Sequence, residues 1–295
     1  MHKVLVLDAN QRSALAIIRS LGRHGLTIVA GDHRAHTLGA ASKYVTASVR
    51  YPNPATYAER FISEITAITQ RLRIDTIVPA TDLTTMLLVS QPDQAKFARL
   101  MAPQAASYEA MTDKARLIAL AIELGVTAPV TRIVDSAAAA VDAARDIGFP
   151  VVLKPARSRY LRGNEVRSTR VEVASNPEAL SRILGSQDWL GDIPCLVQRF
   201  VPGHGAGIFS LYGSSKPIAW VAHRRIREKP PTGGVSVLCE SVPIDAIGHH
   251  QTALCGQVER RRDGGVPGSG RWHPLSDGSE RALLGLPGTR HRLRR

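Results

Sequence analysis

The first hundred residues alternate short apolar runs with amphipathic helical patterns, and this alternation limits the fold more than any other feature of the sequence. Strands are predicted at 4–7, 26–30 and 75–79, and helices at 13–21, 54–72 and from 83 to 89. Strands separated by helices of this length are typical of a parallel, doubly wound sheet. We therefore predict an α/β domain at the N-terminus.

The first strand-to-helix turn argues against a dinucleotide site in that domain. The turn reads Asp8-Ala9-Asn10-Gln11-Arg12-Ser13 and contains none of the glycines that let a backbone approach a pyrophosphate. Asp32 follows the second strand, where an acid can bind a ribose. Without the glycines, we interpret Asp32 as an ordinary turn carboxylate.

Length and composition indicate the general class of protein. The chain has 295 residues, more than one ordinary core needs, so we expect two domains. Its cysteines, Cys195, Cys239 and Cys255, are too scattered for a disulfide framework or a paired metal site. No apolar run is long enough to span a membrane, and only Met1-His2-Lys3 precedes the first strand. A soluble, cytoplasmic protein is the expectation.

The net charge of +13 is distributed unevenly. Residues 255–295 contain nine Arg, no Lys, four acidic residues and eight of the 24 Gly, a net charge of +5. The preceding 254 residues carry the other +8. A basic chain can bind nucleic acid, but the basic residues here are interleaved with few aromatics and no recognised binding motif is present. A nucleic-acid partner is therefore the less favoured hypothesis.

A second unit begins near Tyr108. Helices are predicted at 112–125, 137–147 and 176–184, strands at 131–134, 151–155 and 195–201, and a hairpin at 208–212 and 218–222. In the 112–125 helix, Leu117, Leu120, Ala121 and Leu124 are predicted to face inward. Lys154 follows the apolar run Val151-Val152-Leu153 and precedes Pro155, so its ammonium is predicted to lie at the edge of the sheet.

The order of these parts resembles the ATP-grasp superfamily. The matching segments are Thr112-Asp113-Lys114, Gly125-Val126-Thr127-Ala128-Pro129, Gly148-Phe149-Pro150-Val151-Val152-Leu153-Lys154-Pro155, Leu196-Val197-Gln198-Arg199-Phe200-Val201-Pro202-Gly203, and the hairpin to Arg224-Arg225. The sequence is most similar to carboxylate–amine ligases and carbamoyl-phosphate-synthase-like proteins. The resemblance implies a doubly wound pre-ATP-grasp domain at 1–107 and an α+β ATP-grasp domain at 108–254, with lobes at 108–194 and 195–254.

The resemblance also implies ATP as the cofactor and assigns residues to it. Lys114 and Lys154 would be the lysines on the phosphate side, and Gln198, Arg199, Phe200 and Val201 the segment that reads the adenine edge. Each has an alternative reading, because Lys114 also suits a solvated helical turn and 198–201 also suits a core strand. Gln198 and His204 are the candidates for the ribose or base-amine contact, where many relatives carry an acid.

Two arginine-rich segments have open roles. Residues 158–169 stand where the family has a flap over the phosphates, but Gly163 is the one glycine among them. Their arginines can grip phosphate or form a solvated face. The segment 223–229, with Arg224 and Arg225 as candidate catalytic residues, suits a polyanion or carboxylate site, since arginine binds such groups bidentately. A charged surface hairpin is the alternative.

The family's Mg²⁺ ligands have no counterpart near the end of this sequence. The resemblance implies strands such as V-E-F and E-V-N-G-R, whereas Asp263, Asp277 and Glu280 are isolated in Gly/Arg-rich sequence. When the tail is back-translated and read one base out of register, 261–266 becomes compatible with V-A-M-V-E-F, and 274–286 with Y-L-M-E-V-N-G-R-F-W-G-S. We therefore hypothesise a frameshift near Leu254–Cys255, an ATP-grasp domain incomplete at its C-terminal end, and a disordered 255–295 tail without metal ligands.

The sequence thus favours an ATP-binding ligase-type protein that converts a carboxylate into an acyl phosphate for attack by an amine. Loss of the Mg²⁺-binding strands would make turnover by this chain weak or absent. The partners implied are a small carboxylate and an amine, with a homo-oligomer as an open possibility and no membrane. A non-catalytic nucleotide-binding relative is the alternative, followed by a basic nucleic-acid-binding protein.

Overall fold

The structure, a computed structural model, describes residues 2–91, 98–213, 216–229 and 235–247. The chain divides into two compact units, unit 1 from Met1 to Phe200 and unit 2 beginning at Val201. The frameshift hypothesis and the predicted disorder concern 255–295, which lies outside the described residues. Among the described residues, no helix is long and apolar enough to cross a membrane.

The N-terminal part of unit 1 is the predicted parallel sheet. Its strands are β1 (Lys3–Val6), β2 (Thr27–Asp32), β3 (Val45–Arg50), β4 (Thr76–Val78) and β5 (Arg99–Leu100). They pair in the order β3-β2-β1-β4-β5, and every pairing is parallel. The helices that connect them are α1 (Arg12–Arg23), α2 (Ala58–Leu72) and α3 (Asp82–Val89). This order, with β1 central, is that of a doubly wound sheet.

Apolar residues on both faces of this sheet form two buried clusters. Ile18 of α1 packs with Val4 and Val6 on one face, while Phe61 of α2 packs with Leu5 and Leu7 on the other. The Phe61 ring also meets Tyr51 edge-to-face, with centroids 5.1 Å apart. Side chains of β1 alternate between the two clusters, as the period of a strand requires. A strand covered on both faces explains the continuous apolar run in the sequence.

The second part of unit 1 is an antiparallel sheet with its own core. Its elements are α4 (Ala105–Thr112), α5 (Lys114–Glu123), β6 (Thr131–Val134), α6 (Ala137–Ile147), β7 (Val151–Pro155), β8 (Arg159–Arg162), β9 (Glu165–Ser168), β10 (Glu172–Ala174), α7 (Pro177–Gly185) and β11 (Cys195–Arg199). The sheet order is β10-β7-β11-β6, and β8 and β9 form a separate hairpin. Strand β11, which the sequence assigns to the second lobe, pairs with β6 and β7 in this sheet.

The helix predicted at 112–125, with Thr112 or Asp113 as its cap, corresponds to α5, and α4 precedes it. The Asp113 carboxylate accepts hydrogen bonds from the amides of Ala115 and Arg116, so Asp113 caps α5 and separates it from α4. Leu124 is buried as predicted. Leu117 is 39% exposed, so the prediction that it faces inward is wrong.

Unit 2 contains an antiparallel sheet over its described residues. It consists of β12 (Ala206–Gly213), β13 (Lys216–Lys229) and β14 (Val235–Val242), followed by a 3₁₀ turn at Ile244–Ile247. The predicted hairpin is confirmed, and its second strand is longer than expected because the basic segment 223–229 continues β13. The register between β13 and β14 shifts on either side of Arg227, which marks an irregularity in the middle of the basic segment.

Candidate functional site

Lys154 is held by its strand and by a neighbouring amide. It lies in β7, opposite Leu196 of β11, between side chains that are buried. Its Nζ donates a hydrogen bond of 2.6 Å to Oε1 of Gln198. Burial lowers the pKa of the Lys154 ammonium from its ordinary value. A charge placed in this way is available to an anion, because its partner is neutral.

Lys114 opens helix α5 and reaches the same sheet. Its backbone amide donates to the carbonyl of Ala156, just after β7, at 2.8 Å, and its Nζ donates to Oγ of Ser158 at 3.1 Å. Burial lowers the pKa of Lys114, and the Lys154 ammonium lowers it further, whereas Asp113 and Asp82 act in the opposite direction. The structure therefore brings Lys114 and Lys154 close enough for their charges to repel.

The backbone of the predicted adenine segment is already engaged over most of its length. The Arg199 amide donates to the Val130 carbonyl at 2.9 Å, and the Phe200 amide donates to the Pro150 carbonyl at 3.2 Å. Gln198 is 5% exposed and uses both side-chain groups within unit 1. Val201, 61% exposed, makes no backbone hydrogen bond within the part of the chain that the structure describes.

Arg224 and Arg225, the candidate catalytic residues, are neighbours on β13 in unit 2. Arg224 pairs in register with Glu240 and donates to its carboxylate, with Nε 2.9 Å from Oε1. Arg225 donates from Nη1 to Glu228 at 3.2 Å. Successive residues of a strand point to opposite faces, so a site on one face of this sheet takes at most one of the two arginines.

The arginine-rich segment at the predicted flap forms the β8–β9 hairpin, with Gly163 at its turn in a left-handed conformation (φ +61°). Four of the five arginines in 157–170 lie beside carboxylates. The pairs are Arg157 with Asp113 (3.5 Å), Arg159 with Asp82 (3.1 Å), Arg162 with Asp192 (3.5 Å) and Arg167 with Glu165 (3.0 Å). These carboxylates offset the arginine charges that a phosphate would otherwise meet.

Sequence reasoning missed Asp82 as a member of this neighbourhood. Asp82 begins α3 just after β4, and it accepts hydrogen bonds from the Tyr108 hydroxyl (2.5 Å) and from Arg159. Its carboxylate also acts on the pKa of Lys114. The available signal was its position, because the carboxyl ends of parallel strands are where α/β sheets bind ligands. Asp82 thus places a carboxylate from that edge within electrostatic reach of Lys114.

The turn after β1 is closed by an internal network of hydrogen bonds. The Asn10 amide donates to Asp32 at 2.9 Å and the Gln11 amide donates to the Asp8 carbonyl at 2.8 Å. The Asp8 carboxylate accepts from the Ala80 amide and the Thr84 hydroxyl. In a dinucleotide site such amides would face a pyrophosphate. Here Asp32 bonds to the turn itself, in line with its interpretation as a turn carboxylate.

The described residues contain no ready-made cluster of ligands for the Mg²⁺ ion that the resemblance implies. Within 2–91, 98–213, 216–229 and 235–247, no group of three or more His, Cys, Asp or Glu side chains could hold a metal ion. Asp263, Asp277 and Glu280 lie outside these ranges. The lysine pair fits a polyphosphate, since two half-buried ammonium groups bonded to neutral partners favour a nearby anion.

Comparison with known proteins gives the fold. No protein-family model matches the sequence, and no curated protein matches it. The L-amino acid ligase of Bacillus licheniformis is similar in structure, with a TM-score of 0.62 and 11% identity over 88% of this chain and 60% of the ligase. A biotin carboxylase domain from Hydrogenobacter thermophilus, solved with MgADP, ADP and bicarbonate, has a TM-score of 0.58 and 19% identity over 77% of this chain and 50% of that one.

A third similar structure is an ATP-grasp protein. It is the RimK domain ATP-grasp protein of Sphaerobacter thermophilus, with a TM-score of 0.52 and 17% identity over 88% of this chain and 81% of that one. This chain therefore spans 60% or less of the first two proteins and most of the third. The fold predicted from the segment order is confirmed, and this chain has the fold of the ATP-grasp superfamily.

Proposed function

We propose that this chain binds ATP through Lys114 and Lys154 and that its fold is built for ligase chemistry. In that chemistry a carboxylate oxygen attacks the γ-phosphorus of ATP, and the bond to the ADP oxygen breaks. An amine then attacks the acyl carbon of the acyl phosphate, losing a proton, and inorganic phosphate leaves. The proteins of similar structure include an amino acid ligase and a carboxylase domain solved with MgADP, which supports this class of reaction.

The observation that carries the proposal is the pair of ammonium groups. Lys154 bonds to an amide oxygen and Lys114 to a hydroxyl, so neither contact neutralises its charge. Burial disfavours the charged form of both lysines, and their mutual repulsion adds to this for Lys114. A polyphosphate between them would relieve both costs, because its oxygens accept charge-assisted hydrogen bonds.

Existing hydrogen bonds reduce the number of groups in 198–201 that can contact the adenine base. The Arg199 and Phe200 amides donate to protein carbonyls, and the Gln198 side chain bonds to Lys154 and Thr131. We therefore propose that the Arg199 and Phe200 amides do not contact the adenine. Arg224 and Glu240 would act as a pair in any role of β13, since each fixes the other's side chain.

The test is thermal stabilisation by ATP. Nucleotide that binds only the folded state at a hundred times its Kd adds about 2.7 kcal/mol of stability. Lys154→Met and Lys114→Met should each weaken ATP binding at least about tenfold, as loss of a charge-assisted contact predicts. Lys43→Met is the matched control, because Lys43 is exposed and lies over the Tyr44 ring. Equal stabilisation of the wild type and Lys154→Met would contradict the proposal.

A binding protein without turnover is the second candidate, favoured by the sequence of 255–295. The sequence of that segment contains no motif such as V-E-F or E-V-N-G-R, and its Asp263, Asp277 and Glu280 are isolated in Gly/Arg-rich sequence. A Mg²⁺ ion would supply positive charge that offsets the negative charge developing during phosphoryl transfer. We expect Mg²⁺-dependent ADP release to equal that of a Lys154→Ala control. Release clearly above that control would show that the chain is an active enzyme.

A further inference from the structure

Three side chains on adjacent strands form a continuous line of hydrogen bonds that ends at Lys154. Lys154 Nζ donates to Gln198 Oε1 at 2.6 Å, and Gln198 Nε2 donates to Thr131 Oγ1 at 2.8 Å. The Thr131 hydroxyl donates in turn to the carbonyl of Pro129 at 2.7 Å. Every donor in the line faces an acceptor. The Thr131 hydroxyl, at the end of the amide away from Lys154, therefore fixes the orientation of the Gln198 amide.

The strand register explains how these residues meet. Gln198 of β11 is opposite Val152 of β7 and Thr131 of β6, while Lys154 is opposite Leu196. Lys154 and Gln198 are therefore diagonal neighbours on one face of an antiparallel pair, a separation that long side chains span. Thr131 and Gln198 are a direct cross-strand pair. The line thus follows from sheet geometry rather than from a flexible loop.

The chemistry of Gln198 suits it to hold a lysine without cancelling its charge. Its side chain is 5% exposed, and its oxygen and nitrogen each make a hydrogen bond within the line, so the amide is held inside the protein. A glutamate at the same position would form an ion pair with the ammonium and reduce its attraction for phosphate. An amide fixes the position of the ammonium and leaves the full positive charge available.

We propose that Gln198 is a positioning residue that, anchored by Thr131, aims the Lys154 ammonium at the phosphate chain of a bound nucleotide. This inference rests on the proposed function for the role of the ammonium, but the hydrogen-bond line can be tested without nucleotide. It also replaces the sequence-based role of the Gln198 side chain at the base or ribose with one at the phosphate side.

The first measurement is the pH profile of Lys154 acetylation in the nucleotide-free full chain, followed by peptide mass spectrometry. Gln198→Glu should move the Lys154 profile to higher pH and slow its acetylation about tenfold below the midpoint, since one pKa unit is tenfold in free amine. Thr131→Val keeps the strand-forming shape but releases the amide, so the profile should move to lower pH. Ser158→Ala removes the partner of Lys114 and is the matched control, with Lys43 as the internal standard.

The hydrogen-bond line is supported if the pH profile of Lys154 acetylation moves to higher pH in Gln198→Glu and to lower pH in Thr131→Val. The same profile should change little in Ser158→Ala. If the Lys154 profile is the same in the wild type and both variants, the positioning role is refuted. Thr131→Val keeps the test valid if Gln198→Glu does not fold.

ATP binding is the second measurement, and it separates the two proposals. Gln198→Glu should weaken ATP binding at least about tenfold if the ammonium meets phosphate. Shifted acetylation profiles with no ATP binding by the wild type would overturn the proposed function and leave the hydrogen-bond line standing. Unshifted profiles with ATP binding that depends on Lys154 would overturn the line alone.

Discussion

The tip of the β8–β9 hairpin is fixed to helix α2, and replacing Asn164 tests what that contact does. The Asn164 side-chain oxygen accepts a hydrogen bond from the Glu59 amide at 3.1 Å, and its carbonyl accepts one from the Ala58 amide at 3.4 Å. Tyr57 occupies the N-cap position of α2 but supplies no side-chain cap. The cap of this helix thus comes from a hairpin more than a hundred residues away. Asn164→Ala removes the side-chain bond and keeps the backbone one.

The expected cost follows from the value of a helix cap. Loss of an Asn cap costs about 1 kcal/mol, within a range of roughly 0.5–2. For a unit the size of Met1–Phe200 this is a decrease of about 2–4 °C in Tm. One kcal/mol also raises the open population about fivefold, so hydrogen exchange at the first turn of α2 should accelerate by that factor.

Two variants separate this contact from a general loss of stability. Asn164→Asp keeps the acceptor and adds a negative charge at a helix N-terminus, so its Tm should equal or exceed that of the wild type. Asn176 caps α7 by accepting from the Ala179 amide at 2.8 Å, and Asn176→Ala should lower the Tm without accelerating exchange in α2. Hydrogen exchange with mass spectrometry measures both regions in one experiment.

The same experiment decides whether the hairpin is a mobile flap over phosphates. The Val166 amide donates to the Ala55 carbonyl at 2.8 Å, and the Val166 side chain packs against the N-terminal core. A hairpin attached in this way should exchange slowly already without ATP. Two results would refute the reasoning: equal α2 exchange in Asn164→Ala and Asn176→Ala, or protection of 159–168 by ATP of more than about tenfold, which corresponds to 1.4 kcal/mol.

Three further predictions concern stability and the gene. Burial raises the pKa of Asp8 above 3.8, so the stability of the wild type should fall as the pH rises from 3.8 through the raised pKa. Urea unfolding at several pH values measures this dependence, and Asp8→Asn should make it flatter. A Cβ at Gly39 would lie 2.7 Å from the Ala9 carbonyl oxygen, so Gly39→Ala should lower the free energy of unfolding by about 1–3 kcal/mol. Gly185→Ala is the control, because a Cβ there has no neighbour within 4 Å, and its free energy of unfolding should be nearly unchanged. DNA sequencing downstream of the Leu254 codon should show that one single-base change restores the two acidic strands; absence of any such change would end the frameshift hypothesis.

The sequence predicted helices and strands well where capping residues or helix-ending glycines lie at their ends. Helix α6 spans Ala137–Ile147 as predicted, because Ser136 caps its start and Gly148, with a positive φ, follows its end. Strand β3 was missed, since Val45–Arg50 is a partly exposed strand at the edge of the sheet with mixed polarity. Edge strands lack the continuous apolar run that identified β1 and β2.

The site was predicted less completely, because its contacts depend on strand register. The sequence indicated that Lys154 ends an apolar strand, but its bond to Gln198 requires the diagonal pairing of β7 and β11. The pairing of Arg224 with Glu240 likewise arises between two strands. Segment order identifies a fold, whereas hydrogen-bond partners many residues apart become visible only once the register is known.

The sheet of unit 2 gives a physical reason to take the frameshift hypothesis seriously. Phe209 pairs with Val221 on one face and is 61% exposed, Val221 is 55% exposed, and Leu211 beside them is 59% exposed. Sheets bury at least one face against another layer, and apolar patches left open favour association. The displaced frame is compatible with V-A-M-V-E-F and Y-L-M-E-V-N-G-R-F-W, which contain apolar residues suited to such a layer together with acidic and amide side chains. One event would then remove a metal site and uncover a core face together, so a restored-frame protein should both bind less hydrophobic dye and gain Mg²⁺-dependent turnover.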